Sequence, residues 1–161
     1  MPKSIRYEMA YDAPVETVAA MLADPTFRED VCRFQGVTQV EATVEVAGDT
    51  KKVKVDQMQP TAGVPSFAKK IVGDETNIVQ EESWSSLTHA DITVTIPGKP
   101  GDMSGTVTLA PTDAGGTLEA VDLTIKVKIP LVAGKLESLI GDLLLKALKA
   151  EYKVGRDYLA R

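Results

Sequence analysis

The sequence predicts an α+β fold in which a curved antiparallel sheet of about seven strands wraps around a long C-terminal helix. After Gly36, apolar and polar residues alternate with the period of half-buried strands, and short turns separate these segments. Parallel strands need long crossover connections, so short turns indicate antiparallel neighbours. The end of the chain, to about Leu159, has a helical pattern whose apolar arc covers more than half of the circumference. So wide an arc suits a helix enclosed by a curved sheet.

The first part of the chain predicts one strand followed by two short helices. The stretch "SIRYEMAY" alternates apolar and polar residues, as a half-buried strand does. Asp12 and Pro14 then mark a helix start, because proline is favoured in the first helical turn. This helix ends before Pro25, since the residue that precedes a proline avoids the helical conformation. A second short helix is expected over about 25–34.

The middle of the chain predicts consecutive strands joined by tight turns. Valines alternate over 40–46 and again at Val53 and Val55, and Gly48-Asp49 lies between these two runs. A glycine followed by a polar residue is typical of a two-residue hairpin. Further strands are expected at about 76–84, 88–96, 103–109 and 117–129.

One connection, over 60–75, is longer than a hairpin requires. Phe67 and Ile71 lie four residues apart within it, which predicts a short helix. Long loops in compact domains are often functional, so these two residues are candidates for a lid over a binding site. An irregular cap on the edge of the sheet is the equally open alternative.

The long helix is expected to begin after Pro130, with Gly134 as its N-cap and the Glu137 carboxylate reaching back to a free backbone N–H. Gly141 and Gly155 interrupt its apolar side, although each costs up to about 1 kcal/mol relative to alanine. Either the sheet approaches closely at these glycines, or the missing side chains leave room for a ligand.

Glu151 falls within the apolar arc of this helix. A buried carboxylate has to be paired, hydrogen-bonded or protonated, because an isolated buried charge is very costly. Three interpretations follow: a structural partner such as a tyrosine hydroxyl, the Trp84 N–H or an arginine; a position at the mouth of a cavity; or contact with the polar group of a ligand, including acid–base chemistry.

Composition restricts the classes of function. The chain has 161 residues and a net charge of −5, which favours a single domain over 1–161 and argues against nucleic acid, because phosphate binding needs clustered basic residues. The first residues contain no apolar signal core, and no apolar run is long enough to span a membrane, so a cytoplasmic protein is expected. The oligomeric state stays open.

The residues that usually perform catalysis are scarce. His89 is the only histidine and Cys32 the only cysteine, and no Cys, His and carboxylate group has metal-ligand spacing. The sequence therefore predicts no metal, no cofactor and no catalytic residue. Glu81 and Glu82 are adjacent on a predicted strand, so they face opposite sides and do not by themselves form an acid–base pair.

The order of strand, two short helices, six antiparallel strands and long helix is that of the helix-grip fold. Four segments add a family resemblance: "VPSFAKKIVGDE", "VQEESW", "IPGKPGDMSGTVTLAP" and, most specifically, "VKIPLVAGKLESLIGDLLLKALKAEYKVGRDYLA". The chain resembles the START-like superfamily, which includes Bet v 1-type plant proteins and polyketide cyclases, and within it a bacterial family known only as a domain of unknown function. The resemblance implies an apolar cavity between sheet and helix that binds hydrophobic molecules, and it transfers no catalytic residues.

These observations predict a protein that binds a small hydrophobic molecule, lipid-like or polyketide-like, between the sheet and the long helix. A cyclase- or hydrolase-like enzyme is the alternative, and convergence of Glu151, a tyrosine and His89 would favour it. A protein-interaction module with a filled core is the third possibility. The residues expected to line the ligand site are Phe67, Ile71, Trp84, Ile92, Val94, Met103, Val107, Leu139, Leu143, Ala147 and Glu151.

Overall fold

The computed structural model describes residues 2–161, which form a seven-stranded antiparallel sheet and four helices. The order along the sheet is β1-β7-β6-β5-β4-β3-β2, so the first and last strands of the chain are neighbours. The predicted fold, with a curved sheet, two short helices after the first strand and a long C-terminal helix, is confirmed. In chain order the elements are β1 (Lys3–Tyr11), α1 (Val15–Leu22), α2 (Pro25–Phe34), β2 (Gln39–Ala47), β3 (Thr50–Pro60), α3 (Ser66–Val72), β4 (Glu75–Trp84), β5 (His89–Thr95), β6 (Gly101–Pro111), β7 (Thr117–Val127) and α4 (Ala133–Leu159).

The alternation of the sequence assigns the two faces of the sheet. In β5, Ala90, Ile92 and Val94 are buried while the residues between them are exposed or half-buried, which places the apolar residues on the concave face. The β2–β3 hairpin turns at Gly48, whose φ of 62° favours glycine, and its last pair is Ala47 with Thr50. The predicted hairpin is thus confirmed.

The backbones of β6 and β7 approach each other closely at Gly105. Gly105 pairs with Leu123 there, and a Cβ atom on this glycine would overlap the backbone carbonyl of Asp122. A glycine inside a strand marks a tight bend or a close approach of another backbone. The sheet therefore coils sharply at this point, and only a residue without a side chain fits.

The long helix α4 packs on β1, β7 and α2. A Cβ atom on Gly155 would lie 2.7 Å from the Tyr11 hydroxyl, and one on Gly141 would lie 3.1 Å from Cε of Lys3. Both glycines therefore face β1 at close range. Of the two explanations that the sequence left open for them, close approach of the sheet is the correct one.

The start of α4 differs from the prediction. Its first residue is Ala133 and its N-cap is Val132, so Gly134 lies inside the helix. Glu137 is buried, and its Oε2 accepts a hydrogen bond from the backbone N–H of Val127 at 2.9 Å. The predicted capping box was wrong because this carboxylate satisfies the free end of β7 instead of its own helix.

The other end of α4 is fixed against α2. The Asp24 side chain caps α2, with Oδ1 accepting from the Thr26 N–H at 2.9 Å, while its Oδ2 accepts from the Tyr158 hydroxyl at 2.8 Å. The Phe27 and Tyr158 rings meet edge to face with centroids 5.4 Å apart. These contacts hold α2 beside the C-terminal half of α4.

Candidate functional site

A cavity of about 370 Å³ lies between the concave face of the sheet and helices α2, α3 and α4. Apolar side chains of β5, β6, β7 and α4 form most of its wall, and a few polar side chains form the rest. The space between sheet and helix is therefore not filled by side chains, which contradicts the filled-core alternative. Part of the apolar lining comes from residues that the sequence did not single out, namely Val31, Val55, Ile78, Ile96, Val121, Leu123, Ile140 and Leu144.

Most of the residues predicted for the site lie on this wall. Those from the sheet reach it because they occupy alternate positions of β5 and β6, and those from α4 because they share one helical face. The predicted residues that line the cavity are Ile71, Ile92, Val94, Met103, Val107, Leu139, Leu143, Ala147 and Glu151.

Phe67 does not line the cavity. The predicted helix α3 exists, but its inward face is formed by Ala68 and Ile71, which places Phe67 on its flank. The Phe67 ring is 36% exposed and lies 6.0 Å from the Lys135 ammonium of α4. The prediction of an inward-facing pair at positions 67 and 71 was therefore right only for Ile71.

Trp84 is buried but also lies outside the cavity wall. It is on the inward face of β4, at the end of the strand, where Ala19 and Leu22 of α1 lie over it. Its indole N–H donates to Glu82 Oε1 at 3.0 Å. Trp84 therefore packs near α1 and does not line the cavity, and its hydrogen bond to Glu82 connects it to the site.

An ion pair closes one end of the cavity. Arg28 of α2 donates from Nη1 and Nη2 to the two carboxylate oxygens of Glu82, at 2.9 and 2.7 Å. Gln80 also donates to Glu82, and the Nε of Arg28 donates to the backbone carbonyl of Leu22 at 2.7 Å. Arg28 and Glu82 are both almost fully buried, so this is a bidentate pair in an apolar environment.

Two further carboxyl groups, Glu119 of β7 and Glu151 of α4, lie beside this pair and are also buried. Glu151 Oε1 is 3.8 Å from Arg28 Nη1, whereas Glu151 Oε2 and Glu119 Oε1 have no hydrogen-bond partner among the described residues. Burial, together with the negative charge of Glu151, raises the pKa of Glu119 well above its usual value. Burial also raises the pKa of Glu151, but Arg28 opposes this increase. The two groups therefore favour one shared proton over two negative charges.

Of the roles predicted for Glu151, the structure shows the arginine partner: Arg28 Nη1 lies 3.8 Å from Glu151 Oε1. The other oxygen, Oε2, has no hydrogen-bond partner among the described residues, and Glu151 lines the cavity. The Tyr11 hydroxyl donates to the backbone carbonyl of Glu151 at 3.5 Å, not to its carboxylate. Glu151 is 8% exposed, so it does not lie at the mouth of the cavity.

The other candidate groups do not join this site. His89 begins β5 on the outward face, where its Nε2 lies 3.6 Å from Asp91 Oδ1, so the arrangement of Glu151, tyrosine and histidine does not occur. Cys32 lines the cavity, but burial raises the pKa of its thiol to about 11, which disfavours a nucleophilic thiolate. Within residues 2–161, no group of three or more His, Cys, Asp or Glu side chains is arranged so that it could hold a metal ion.

Sequence reasoning did not identify Arg28, Glu82 and Glu119. For Glu119 a signal existed, because it occupies the inward position of β7 in series with Val121 and Leu123. Arg28 likewise shares a helical face with Val31, three residues later, and both line the cavity. A charged residue within an apolar period is the pattern that would have identified both.

The opposite end of the cavity is open to solvent. It is bordered by α3, by the β5–β6 turn at Lys99 and by the N-terminal half of α4, where Leu143 is exposed. Of the residues of α3, only Ala68 is fully buried. We refer to this end as the mouth and to the end formed by Arg28, Glu82, Glu119 and Glu151 as the carboxyl end. No helix within residues 2–161 is long and apolar enough to cross a membrane.

Comparisons with known proteins agree with this architecture. A family model described as "Protein of unknown function (DUF2505)" matches residues 6–159. An uncharacterized protein of Mycobacterium tuberculosis is 28% identical over 166 residues, which cover 95% of this chain and 94% of that protein.

Solved structures show the same fold at low sequence identity. The Zhui aromatase/cyclase from Streptomyces sp. R1128 has a TM-score of 0.69 and 14% identity, covering 100% of this chain and 95% of that one. A START superfamily protein from Mycobacterium smegmatis has a TM-score of 0.58 and 15% identity, covering 95% of this chain and 97% of that one. The predicted resemblance to the START-like superfamily is therefore confirmed at the level of the fold.

Proposed function

Because the chain belongs to the family described as "Protein of unknown function (DUF2505)", whose description gives no activity, we propose a function from its own cavity. The protein binds a small hydrophobic molecule, lipid-like or polyketide-like, between the sheet and α4. The observation that supports this most directly is a mostly apolar cavity of about 370 Å³ with a smaller polar part, which includes the buried charged groups at one end. Sites for small molecules typically have volumes of about 300–1,000 Å³ and this division between apolar wall and few polar groups.

The apolar part of the guest contacts the wall formed by the sheet and α4. Ile92 and Val94 supply the floor, while Leu139 and Ala147 supply the opposite side. Removing apolar surface from water contributes roughly 25 cal/mol per Å², so contact with this wall provides most of the binding free energy. Ile71 of α3 borders the route through the mouth.

A cavity-filling variant tests this function. In Ala147→Phe the added ring occupies the cavity, and Ala160→Phe, at an exposed position after α4, is the matched control. Titration with the uncharged apolar dye Nile red should give saturable one-to-one binding in the wild type and in Ala160→Phe, with at least about tenfold weaker binding in Ala147→Phe. Circular dichroism checks that both variants fold.

Native mass spectrometry of the purified protein, with an organic extract of the same sample, then identifies the guest. A discrete added mass that disappears on denaturation is the expected result. A clean mass without guest, together with no saturable binding of Nile red, would contradict the proposed function.

A cyclase- or hydrolase-like activity in the same cavity is the second candidate, and the carboxyl end favours it. Glu119, whose pKa is raised well above its usual value, can supply an acid, and the neighbouring Glu151 can supply a base, since environments that separate two pKa values separate the two roles. Incubation with a reduced poly-β-ketone thioester tests this activity. Turnover that is lost in Glu151→Gln and kept in Glu81→Gln would support it, because Glu81 is exposed on the outer face of β4.

A further inference from the structure

We propose that the carboxyl end is a subsite for a hydrogen-bond-donating, positively charged head group, so that the guest is a hydrophobic amine and not a carboxylic acid. This inference rests on the proposed function, because it names the class of molecule that the cavity holds. It is carried by the placement of Glu119 and Glu151 on the cavity wall, by their unpaired oxygens and by the balance of charges around them.

The charges at the carboxyl end do not balance. It contains one cation, Arg28, and three carboxyl groups, Glu82, Glu119 and Glu151, all of them buried. Arg28 and Glu82 compensate each other through their bidentate hydrogen bonds. Arg28 comes no closer than 3.8 Å to Glu151, so the pair of Glu119 and Glu151 has no full cationic partner. A buried uncompensated charge is costly, so a cation at this place is stabilised.

The two carboxyls also retain hydrogen-bonding capacity. Apart from a proton shared between them, Glu151 Oε2 and Glu119 Oε1 have no hydrogen-bond partner among residues 2–161. A shared proton satisfies one contact between the two groups and leaves further lone pairs free. An ammonium group carries donors and no acceptor, so it complements what remains. A carboxylate guest would add hydrogen-bond acceptors at the carboxyl end, where acceptors already outnumber donors.

Arg28, which if free would attract a carboxylate guest, is already engaged by protein groups. Its Nε donates to the Leu22 carbonyl, and its Nη1 and Nη2 donate to Glu82. Its Nη1 also lies 3.8 Å from Glu151 Oε1. An anionic guest would have to displace one of these buried contacts.

The remaining polar groups around Glu151 do not change this balance. Tyr11 of β1 donates to the Glu151 backbone carbonyl, and Gln80 and Trp84 of β4 donate to Glu82. Cys32 of α2 is neutral, because burial raises the pKa of its thiol to about 11. Arg28 is the cation that acts on the pKa of both carboxyls, while Lys146 of α4 lines the cavity five residues before Glu151, towards the mouth.

The test compares three probes with the same alkyl chain and different ends: decylamine, decanol and decanoic acid. Their affinities are measured at neutral pH by displacement of Nile red, and the emission of Trp84, which is hydrogen-bonded to Glu82, reports whether the polar end reaches the carboxyl end. We expect decylamine to bind at least about tenfold more tightly than decanoic acid, with decanol between them. The preference should persist in moderate salt, because a buried charge is weakly screened.

Variants then locate the preference. Glu151→Gln removes the uncompensated charge and should reduce the ratio of amine to acid affinity to within about threefold. Glu119→Gln keeps Glu151 ionised and should retain the preference. Glu81→Gln changes the net charge by the same amount on the outer face of β4 and is the control for the overall charge of −5.

The outcomes separate the two proposals. Tight binding of all three probes with equal affinity, or a preference for decanoic acid, overturns the amine subsite and leaves the cavity function intact. A preference that survives in Glu151→Gln also overturns it, even if the variant binds less Nile red. Failure of every probe and of Nile red to bind the wild type overturns the proposed function itself.

Discussion

The two ends of the cavity are built on different physical principles. At the carboxyl end, residues from α2, β4, β7 and α4 meet in a buried network of hydrogen bonds and charges. At the mouth, α3 presents a single fully buried residue, and Phe67, Leu131 and Leu143 are exposed. Directional bonds in a low-dielectric interior fix geometry, whereas sparse apolar contacts permit rearrangement.

This difference indicates that the carboxyl end is the more rigid of the two and that the mouth is where the cavity can open. The carboxyl end has to be held in place, because its charges are tolerated only while their partners stay aligned. The mouth carries no such requirement, so α3 can move at low cost. The following changes test this contrast, from the largest expected effect to the smallest.

Replacing Arg28 by methionine should lower the free energy of unfolding by about 3–5 kcal/mol, because it leaves buried carboxylates without a cation. The measurement is urea denaturation at neutral pH followed by Trp84 emission. Arg33→Met on the same helix is the matched control, since Arg33 forms exposed pairs with Glu29 and Asp30 that are worth less than about 1 kcal/mol. Equal losses in both variants would show that the buried network is no stronger than a surface pair.

Replacing Glu119 by glutamine should change how stability depends on pH. The pKa of Glu119 is raised in the folded protein. Below the ordinary pKa of about 4.3 the group is protonated in both the folded and the unfolded chain, so it does not change the free energy of unfolding there. As the pH rises above this value, the unfolded chain releases the proton first, and the free energy of unfolding falls by up to about 1.4 kcal/mol per pH unit until the folded pKa is passed.

Glu119→Gln removes this decline, so its stability should exceed that of the wild type increasingly from about pH 5 upwards. Thermal unfolding over a pH series measures the difference between the two curves. Glu81→Gln, at an exposed position, should run parallel to the wild type. A Glu119→Gln curve that is parallel to the wild type would mean that Glu119 is not protonated in the folded protein.

Replacing Gly155 by alanine should lower the free energy of unfolding by about 1–2 kcal/mol, because overpacking outweighs the gain in helix propensity. The new methyl group would lie 2.7 Å from the hydroxyl of the buried Tyr11. Gly134→Ala, near the mouth end of the same helix, meets no atom within 4 Å and should stabilise by up to about 1 kcal/mol. The measurement is chemical denaturation of both variants. If both substitutions changed the free energy of unfolding in the same direction, the predicted difference between the two positions would be wrong.

Replacing Phe67 by alanine should change the free energy of unfolding by no more than about 0.5 kcal/mol, because its ring is partly exposed and lies on the flank of α3. Phe27→Ala is the matched control at the other end, where the ring is buried against Tyr158, and it should cost about 3–5 kcal/mol. A large loss in Phe67→Ala, measured by urea denaturation, would show that α3 is tightly packed.

The sequence predicted the fold well, because each element has its own local period. The two glycines of α4 were recognised as unusual, but only the structure shows that β1 approaches them. The start of α4 was misplaced, because the partner of Glu137 is the backbone of Val127 on another element. Local patterns cannot indicate such partners.

The carboxyl end was predicted only through Glu151. Arg28 and Glu82 are separated by 54 residues along the chain, and their contact depends on how α2 lies across the sheet. Nothing local in the sequence indicates that contact. The signal available was a charged residue in an inward position, as at Glu119 in β7 and Arg28 in α2.

The close approach of β6 and β7 at Gly105 affects which positions of this fold can be substituted. Because any side chain at this position would overlap the neighbouring strand, the pairing of β6 with β7 depends on a position that does not line the cavity. Residues on the cavity wall can therefore be substituted while the backbone behind them keeps its glycine.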